Sequence, residues 1–117
     1  MSLAKLYINP RCSTCRNAAA HLDEHSFKYE KIEYLKVGLN KKEIMEIKSK
    51  LGAASVRDFM RIKEETYKEL SLSTADEATL VDSLIEHPVL LQRPIIVDAT
   101  KALIGRPSER ILEFVKS

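Results

Sequence analysis

The chain has 117 residues, 44% of them hydrophobic and 31% charged, and its 19 basic and 17 acidic side chains leave a net charge of +2. That length suits one domain with a modest core, and no apolar run approaches the length of a membrane span. The nearly balanced charge argues against direct nucleic-acid binding. Only two cysteines are present, both in one motif, and no positively charged leader precedes an apolar core, so the expected compartment is the cytoplasm.

Leu6-Tyr7-Ile8 reads as a buried strand, and Asn9-Pro10 as a turn. Cys15, Ala18, Ala19 and Leu22 then recur at helical spacing, which predicts a helix from just after Cys12 to about His25. Phe27 to Tyr34, rich in aromatic and β-branched residues, predicts a second strand, although its alternation is imperfect. Strand, helix and strand of this length imply a right-handed parallel crossover. Asn40-x-x-Glu43 has the form of a helix cap with a returning acid. Ile44, Ile47 and Leu51 follow at helical spacing, and Gly52 ends the helix. Val56, Phe59 and Met60 suggest a short helix, and Tyr67 with Leu70 another. Thr74-x-x-Glu77 reads as a second capping box ahead of Leu80, Val81, Leu84 and Ile85. Pro94-Ile95-Ile96-Val97 and Ala102-Leu103-Ile104 flank Asp98-Ala99-Thr100-Lys101, a hairpin signal. Pro107 suits the first position of a last helix carrying Ile111, Leu112 and Val115. No repeat or low-complexity tract interrupts this order. It is β-α-β, a helical insertion at about 40–87, then β-β-α. The expected fold is therefore α/β and thioredoxin-like, with a small mixed sheet in a single domain over residues 1–117.

The chemistry sits in Cys12-Ser13-Thr14-Cys15. A cysteine at a helix N-terminus meets unpaired N–H groups and the positive end of the helix dipole, which favour its thiolate. Arg11 and Arg16 would add positive charge. A zinc site would need about four ligands. No second Cys pair exists, and His21, His25 and His87 have no common ligand spacing, so no metal is expected. A structural disulfide would suit a secreted protein, and two buried cysteines without chemistry are a further alternative. Beside a strand–helix–strand pattern, C-x-x-C is a thioredoxin-like redox signal.

Three arginines stand out by context. Arg93 precedes Pro94 at a strand entrance, Arg106 precedes Pro107 at a helix start, and Arg61 follows Phe59-Met60. In a thioredoxin-like sheet the first two approach the cysteine loop. A guanidinium is a planar, permanently charged fork suited to oxyanions, although most arginines form only surface ion pairs or are solvated. Pro94 either begins an edge strand or is a cis-proline facing the thiols.

Three segments together resemble the glutaredoxin-coupled arsenate reductase family, over nearly the whole chain. They are Asn9-Pro10-Arg11-Cys12-Ser13-Thr14-Cys15-Arg16-Asn17, Glu86-His87-Pro88-Val89-Leu90-Leu91-Gln92-Arg93-Pro94-Ile95 and Gly105-Arg106-Pro107-Ser108-Glu109. They match that family's N-P-x-C-x-T-x-R-N, H-P-x-L-x-x-R-P-I and R-P-S-E patterns. The resemblance implies that Cys12 is the nucleophile toward arsenate and that Arg61, Arg93 and Arg106 hold the oxyanion. Asn9, Thr14, Arg16 and Pro94 would support the loop. It implies no bound cofactor: glutathione would be the reductant, with glutaredoxin or thioredoxin as electron donor.

Two positions depart from the best-known members, which carry serine in place of Cys15 and histidine in place of Ile8. A second thiol at Cys15 permits an internal disulfide in place of glutathione. The chain is also similar to a sister group, the Spx-type regulators, in which C-x-x-C is a redox switch and RNA polymerase the partner. Arg93-Pro94-Ile95-Ile96 is like their strand. Those regulators generally lack R-P-S-E, which this chain keeps, so the reductase branch is favoured.

Overall fold

A computed structural model describes residues 3–116; Met1, Ser2 and Ser117 lie outside them. Strand β1 (Ala4–Ile8) runs through the middle of a four-stranded sheet. Both of its faces are covered, which explains a continuous apolar run instead of alternation: Leu6, Tyr7 and Ile8 are all buried. It pairs in parallel with β2 (Tyr29–Glu33) and antiparallel with β3 (Ile95–Val97). Strand β3 pairs antiparallel with β4 (Ala102–Ile104), giving the order β2-β1-β3-β4. This is the expected thioredoxin-like mixed sheet.

Helix α1 (Ser13–Glu24) buries Cys15, Ala18, Ala19 and Leu22, the face its spacing predicted. That face shares a core with Leu6, Ile8, Ile96, Ile111 and Phe114. The second strand is shorter than expected. Phe27 packs edge-on to Phe114, with centroids 6.1 Å apart, before pairing begins. Tyr34 already belongs to the short helix α2 (Tyr34–Val37). The hairpin between β3 and β4 is held by Asp98, whose Oδ1 accepts hydrogen bonds from the Thr100 and Lys101 N–H groups at 2.8 and 2.9 Å.

Two residue sets form separate compact units. One comprises residues 1–37 and 93–117; the other is Gly38–Gln92, which contains the expected insertion. In the second unit, α3 (Lys41–Leu51) starts at the expected box, with Glu43 N–H donating to Asn40 Oδ1 at 2.8 Å and Asn40 N–H to Glu43 Oε1 at 3.0 Å. It ends at Gly52, whose φ of 69° lies in the left-handed region. Helix α4 spans Glu65–Glu69 and α5 spans Glu77–Glu86. The Thr74 box is not formed. Asp76 caps α5, its Oδ1 accepting from Thr79 N–H at 2.9 Å, while Thr74 lies in a preceding 3₁₀ turn. The Glu77 carboxylate is instead used by Lys48 Nζ (2.9 Å), Ser55 Oγ (2.7 Å) and Val56 N–H (3.1 Å).

Arg57, which no sequence motif singles out, joins the loops of this unit. Its Nε donates to Tyr67 Oη at 3.1 Å, and its Nη2 donates to the carbonyls of Leu72 and Ala75, each at 3.0 Å. Removing a charged donor leaves those acceptors without it. Arg57→Ala is expected to lower stability by about 2–3 kcal/mol, read as a reduced urea midpoint. An unchanged midpoint would show that solvent replaces those bonds at no cost.

Candidate active site

Strand register brings the predicted residues of the first unit to one sheet edge. Ile8 stands opposite Glu33 in the parallel pair, so the chain leaves β1 at Asn9 and β2 at Tyr34 along the same edge. Tyr7 pairs with Ile95 in the antiparallel pair, so Arg93 and Pro94 enter β3 there too. Ile95 pairs with Ile104, which adds Gly105 and Arg106. The carboxyl ends of parallel strands are where α/β sheets place ligands.

The cysteine loop is built by its own backbone. Cys12 N–H donates to the Asn9 carbonyl at 2.9 Å, and Arg11 N–H donates to Asn9 Oδ1 at 3.0 Å. Arg16 Nη1 donates to the Pro10 carbonyl at 3.1 Å. Arg16 is thus turned to the loop backbone. Arg93 is the arginine that acts most on the Cys12 thiol, by hydrogen bond and by charge. Thr14 is half-buried in the first turn of α1. Pro94 follows a cis peptide bond, and its carbonyl accepts from Gly105 N–H at 2.8 Å. Because β3 is an interior strand, the edge-strand reading of Pro94 does not hold. A Cβ on Gly105 would stand 3.0 Å from Pro94 Cγ, so glycine permits this approach. Pro107 likewise follows a cis bond. It precedes a 3₁₀ turn, Ser108–Arg110, and does not open the last helix, α6 (Ile111–Lys116).

The two thiols, three residues apart, are driven in opposite directions. Cys12 occupies the N-cap of α1. Burial alone would raise its pKa. The Cys15 backbone N–H, the Arg93 guanidinium and the Cys15 side chain outweigh that burial and bring the thiol down to about 6. No short capping bond is formed by Cys12, yet the Cys15 N–H lies close enough to favour its thiolate. Cys15 is fully buried, and burial, reinforced by the neighbouring Cys12 charge, pushes it up to about 11. Each thiol acts on the other's ionisation, and both are free. Ile8, where the resemblance puts a histidine in the best-known members, is buried in β1 and carries no charge.

Arg106 Nη1 donates to the Arg93 carbonyl at 3.0 Å, tying the two arginine segments together. Arg61 belongs to the second unit. There it pairs with Glu64 at 3.1 Å, and its N–H donates to the Leu90 carbonyl at 2.7 Å.

A thioredoxin-like sheet with C-x-x-C at the start of α1 defines the structural class. A profile of the ArsC family matches residues 7–114. An arsenate reductase of Neisseria meningitidis serogroup B is 41% identical over 109 residues, covering 92% of this chain and 93% of its own length. The uncharacterized protein YfgD of Escherichia coli K12 is 40% identical over 113 residues, 95% of each chain. The solved structure of an arsenate reductase from Vibrio cholerae superimposes with a TM-score of 0.90 at 37% identity, covering 97% of this chain and 98% of that one. The chain belongs to the ArsC family.

Proposed function

We propose that this protein is a thiol-dependent, arsenate reductase-like oxidoreductase in which Cys12 is the nucleophile. The observation that supports this most is the pairing of a lowered Cys12 thiol with the Arg93 guanidinium beside it. A fixed cation there serves twice, holding the thiolate and neutralising charge on an incoming oxyanion. Arg106 acts with Arg93, and the family resemblance adds Arg61 as a third holder of the oxyanion. In the first step Cys12 Sγ bonds to arsenic(V), and a protonated oxygen leaves as water. A second thiol then attacks Cys12 Sγ. The S–As bond breaks with its electron pair going to arsenic, which becomes arsenic(III), and an S–S bond forms.

Cys15 is our candidate for that second thiol, because it stands in the first turn of α1, three residues after Cys12 at the N-cap. Glutathione is the alternative resolving thiol. Glutaredoxin or thioredoxin then returns two electrons to the disulfide, as expected of a cytoplasmic enzyme. Against Cys15 stands its raised pKa, set first by burial: it must lose its proton as it attacks, so this step is expected to be slow.

The test is a single turnover. Reduced protein mixed with arsenate, without other thiols, is expected to yield one arsenite per chain and a mass lower by two hydrogens. Arsenite formed only when glutathione is added, with a glutathione adduct on Cys12, would make Cys15 a spectator. No arsenite under either condition, combined with RNA polymerase capture that differs between oxidised and reduced protein, would replace this reading with the Spx-type one.

A further inference from the structure

The balanced charge of the whole chain hides an uneven distribution. The unit that carries the cysteine loop, residues 1–37 and 93–117, has eleven basic and seven acidic side chains, while Gly38–Gln92 has eight and ten. Within the first unit four arginines gather at the Cys12 edge. Arg11 adjoins Cys12; its backbone N–H is held by Asn9 Oδ1 and its side chain is exposed. Arg16, also exposed, rests its guanidinium on the Pro10 carbonyl. Arg106 is exposed and fastened to the Arg93 carbonyl. Among the described residues none of these four forms an ion pair with an acid, whereas Lys36 and Arg110 of the same unit do.

Cations of one sign gathered without acids attract an anionic surface and speed its approach. The oxyanion reading uses Arg93 and Arg106 and leaves Arg11 and Arg16 without an anion. The thiol amid this face also has a large partner to meet. Whichever thiol resolves Cys12, the resulting disulfide is reduced by an incoming thiol. Cys12 is partly exposed and Cys15 fully buried, so the encounter is made at Cys12. Exposed Pro10 and Pro107 add rigid apolar surface next to Arg11 and Arg106. An apolar centre with a charged rim is the make-up of a protein interface. Nucleic acid fits less well, because the charge surrounds one thiol and the other unit is net negative.

We infer that this arginine face is the docking surface for a dithiol protein whose reactive cysteine is ringed by acidic side chains, with Arg11 and Arg16 serving the partner and not the oxyanion. This deepens the reductase reading and rests on it for the need of a donor. The donor's thiolate attacks Cys12 Sγ, forming an intermolecular S–S bond as the older one breaks and the resolving thiolate leaves. The donor's second thiol then closes the donor's own disulfide and expels Cys12 as thiolate. Its proton goes to the thiol expelled first, and two electrons have passed to this chain.

The test uses thiol–disulfide exchange alone. The chain is oxidised with glutathione disulfide, to its internal or mixed form, and reduced by two short C-x-x-C peptides, one flanked by glutamates and one by lysines. The readout is the ratio of the two rates, in which any change in Cys12 reactivity itself cancels. Arg11→Glu is expected to lower the acidic-to-basic ratio by about three- to tenfold, because rim charges act on encounter. Lys28→Glu makes the same change of charge at an exposed residue before Tyr29, which pairs with Ala4 at the other end of the sheet. Salt screens that distance, so this variant should keep the wild-type ratio. High salt should draw the wild-type ratio toward that of Arg11→Glu. An equal ratio in wild type and Arg11→Glu, or equal losses in Arg11→Glu and Lys28→Glu, would overturn the inference. So would binding of a short DNA duplex at physiological salt that is lost in Arg11→Glu, which would give the face to nucleic acid. Charge preference absent while the wild-type chain turns over arsenate strikes the docking inference alone. Charge preference present with no arsenate turnover strikes the reductase reading alone.

Discussion

Cys12→Ser is expected to fold as the parent chain does and to turn over no arsenate. The expectation on folding comes from position. Residue 12 is the N-cap of α1, where serine is among the preferred residues, so the replacement keeps or improves the cap. The loss of turnover comes from the nucleophile. A serine hydroxyl stays protonated at neutral pH and forms neither the S–As bond nor the disulfide that carries two electrons away. The parent thiol, with its pKa brought to about 6, is mostly ionised at pH 7. Its alkylation rate should therefore be level above neutrality and fall as pH drops through about 6, because protonation removes the reactive form. Cys15, near 11, remains a thiol throughout that range and should label far more slowly. A Cys12 midpoint at or above 8.5, the ordinary free-thiol value, would contradict the activated nucleophile.

Arg93→Ala carries the second large effect. Arg93 lowers the Cys12 thiol both by hydrogen bonding and by charge, so its removal should move the alkylation midpoint upward. The shift should be incomplete, because the Cys15 N–H still favours the thiolate. Oxyanion affinity, measured calorimetrically with arsenate, should fall by about 1.5–3 kcal/mol, the range for a charge-assisted contact. Arg93→Lys should restore charge but not the fork, and rescue only part of the affinity. Unchanged arsenate affinity in Arg93→Ala would remove this residue from the oxyanion site.

The parts of this molecule that were legible in sequence are those decided by local pattern. The apolar run at Leu6–Ile8, the spacing of Cys15, Ala18, Ala19 and Leu22, and the Asn40–Glu43 box each state their structure within one element. Where two local patterns compete, sequence alone does not choose. Thr74-x-x-Glu77 and Asp76-x-x-Thr79 both have cap spacing, and Asp76 prevails because Glu77 is taken by Lys48, Ser55 and Val56 from other segments. Pro94 is of the same kind: its neighbour across the sheet decides whether it begins an edge, and that neighbour is distant in sequence. Arg57 looks like any other arginine until Tyr67, Leu72 and Ala75 are brought round it. Tyr34 was read only as the end of a strand. Its full burial, as the first residue of a short helix at the end of an edge strand, comes from packing that no local pattern encodes. The opposite ionisation of Cys12 and Cys15 was half legible. The helix terminus predicts the first, while the full burial of the second follows from the core that α1 covers.

The most direct test of the central claim, that Cys12 with Arg93 performs thiol-dependent oxyanion reduction, is a coupled turnover assay. Arsenate, glutathione and glutaredoxin are supplied to the wild-type chain and to Cys12→Ser, and the assay is repeated with thioredoxin as donor. The account predicts steady arsenite production by the wild-type chain with at least one donor system and none by Cys12→Ser. Arsenite production at equal rates by both proteins, or by neither with any donor, would contradict it.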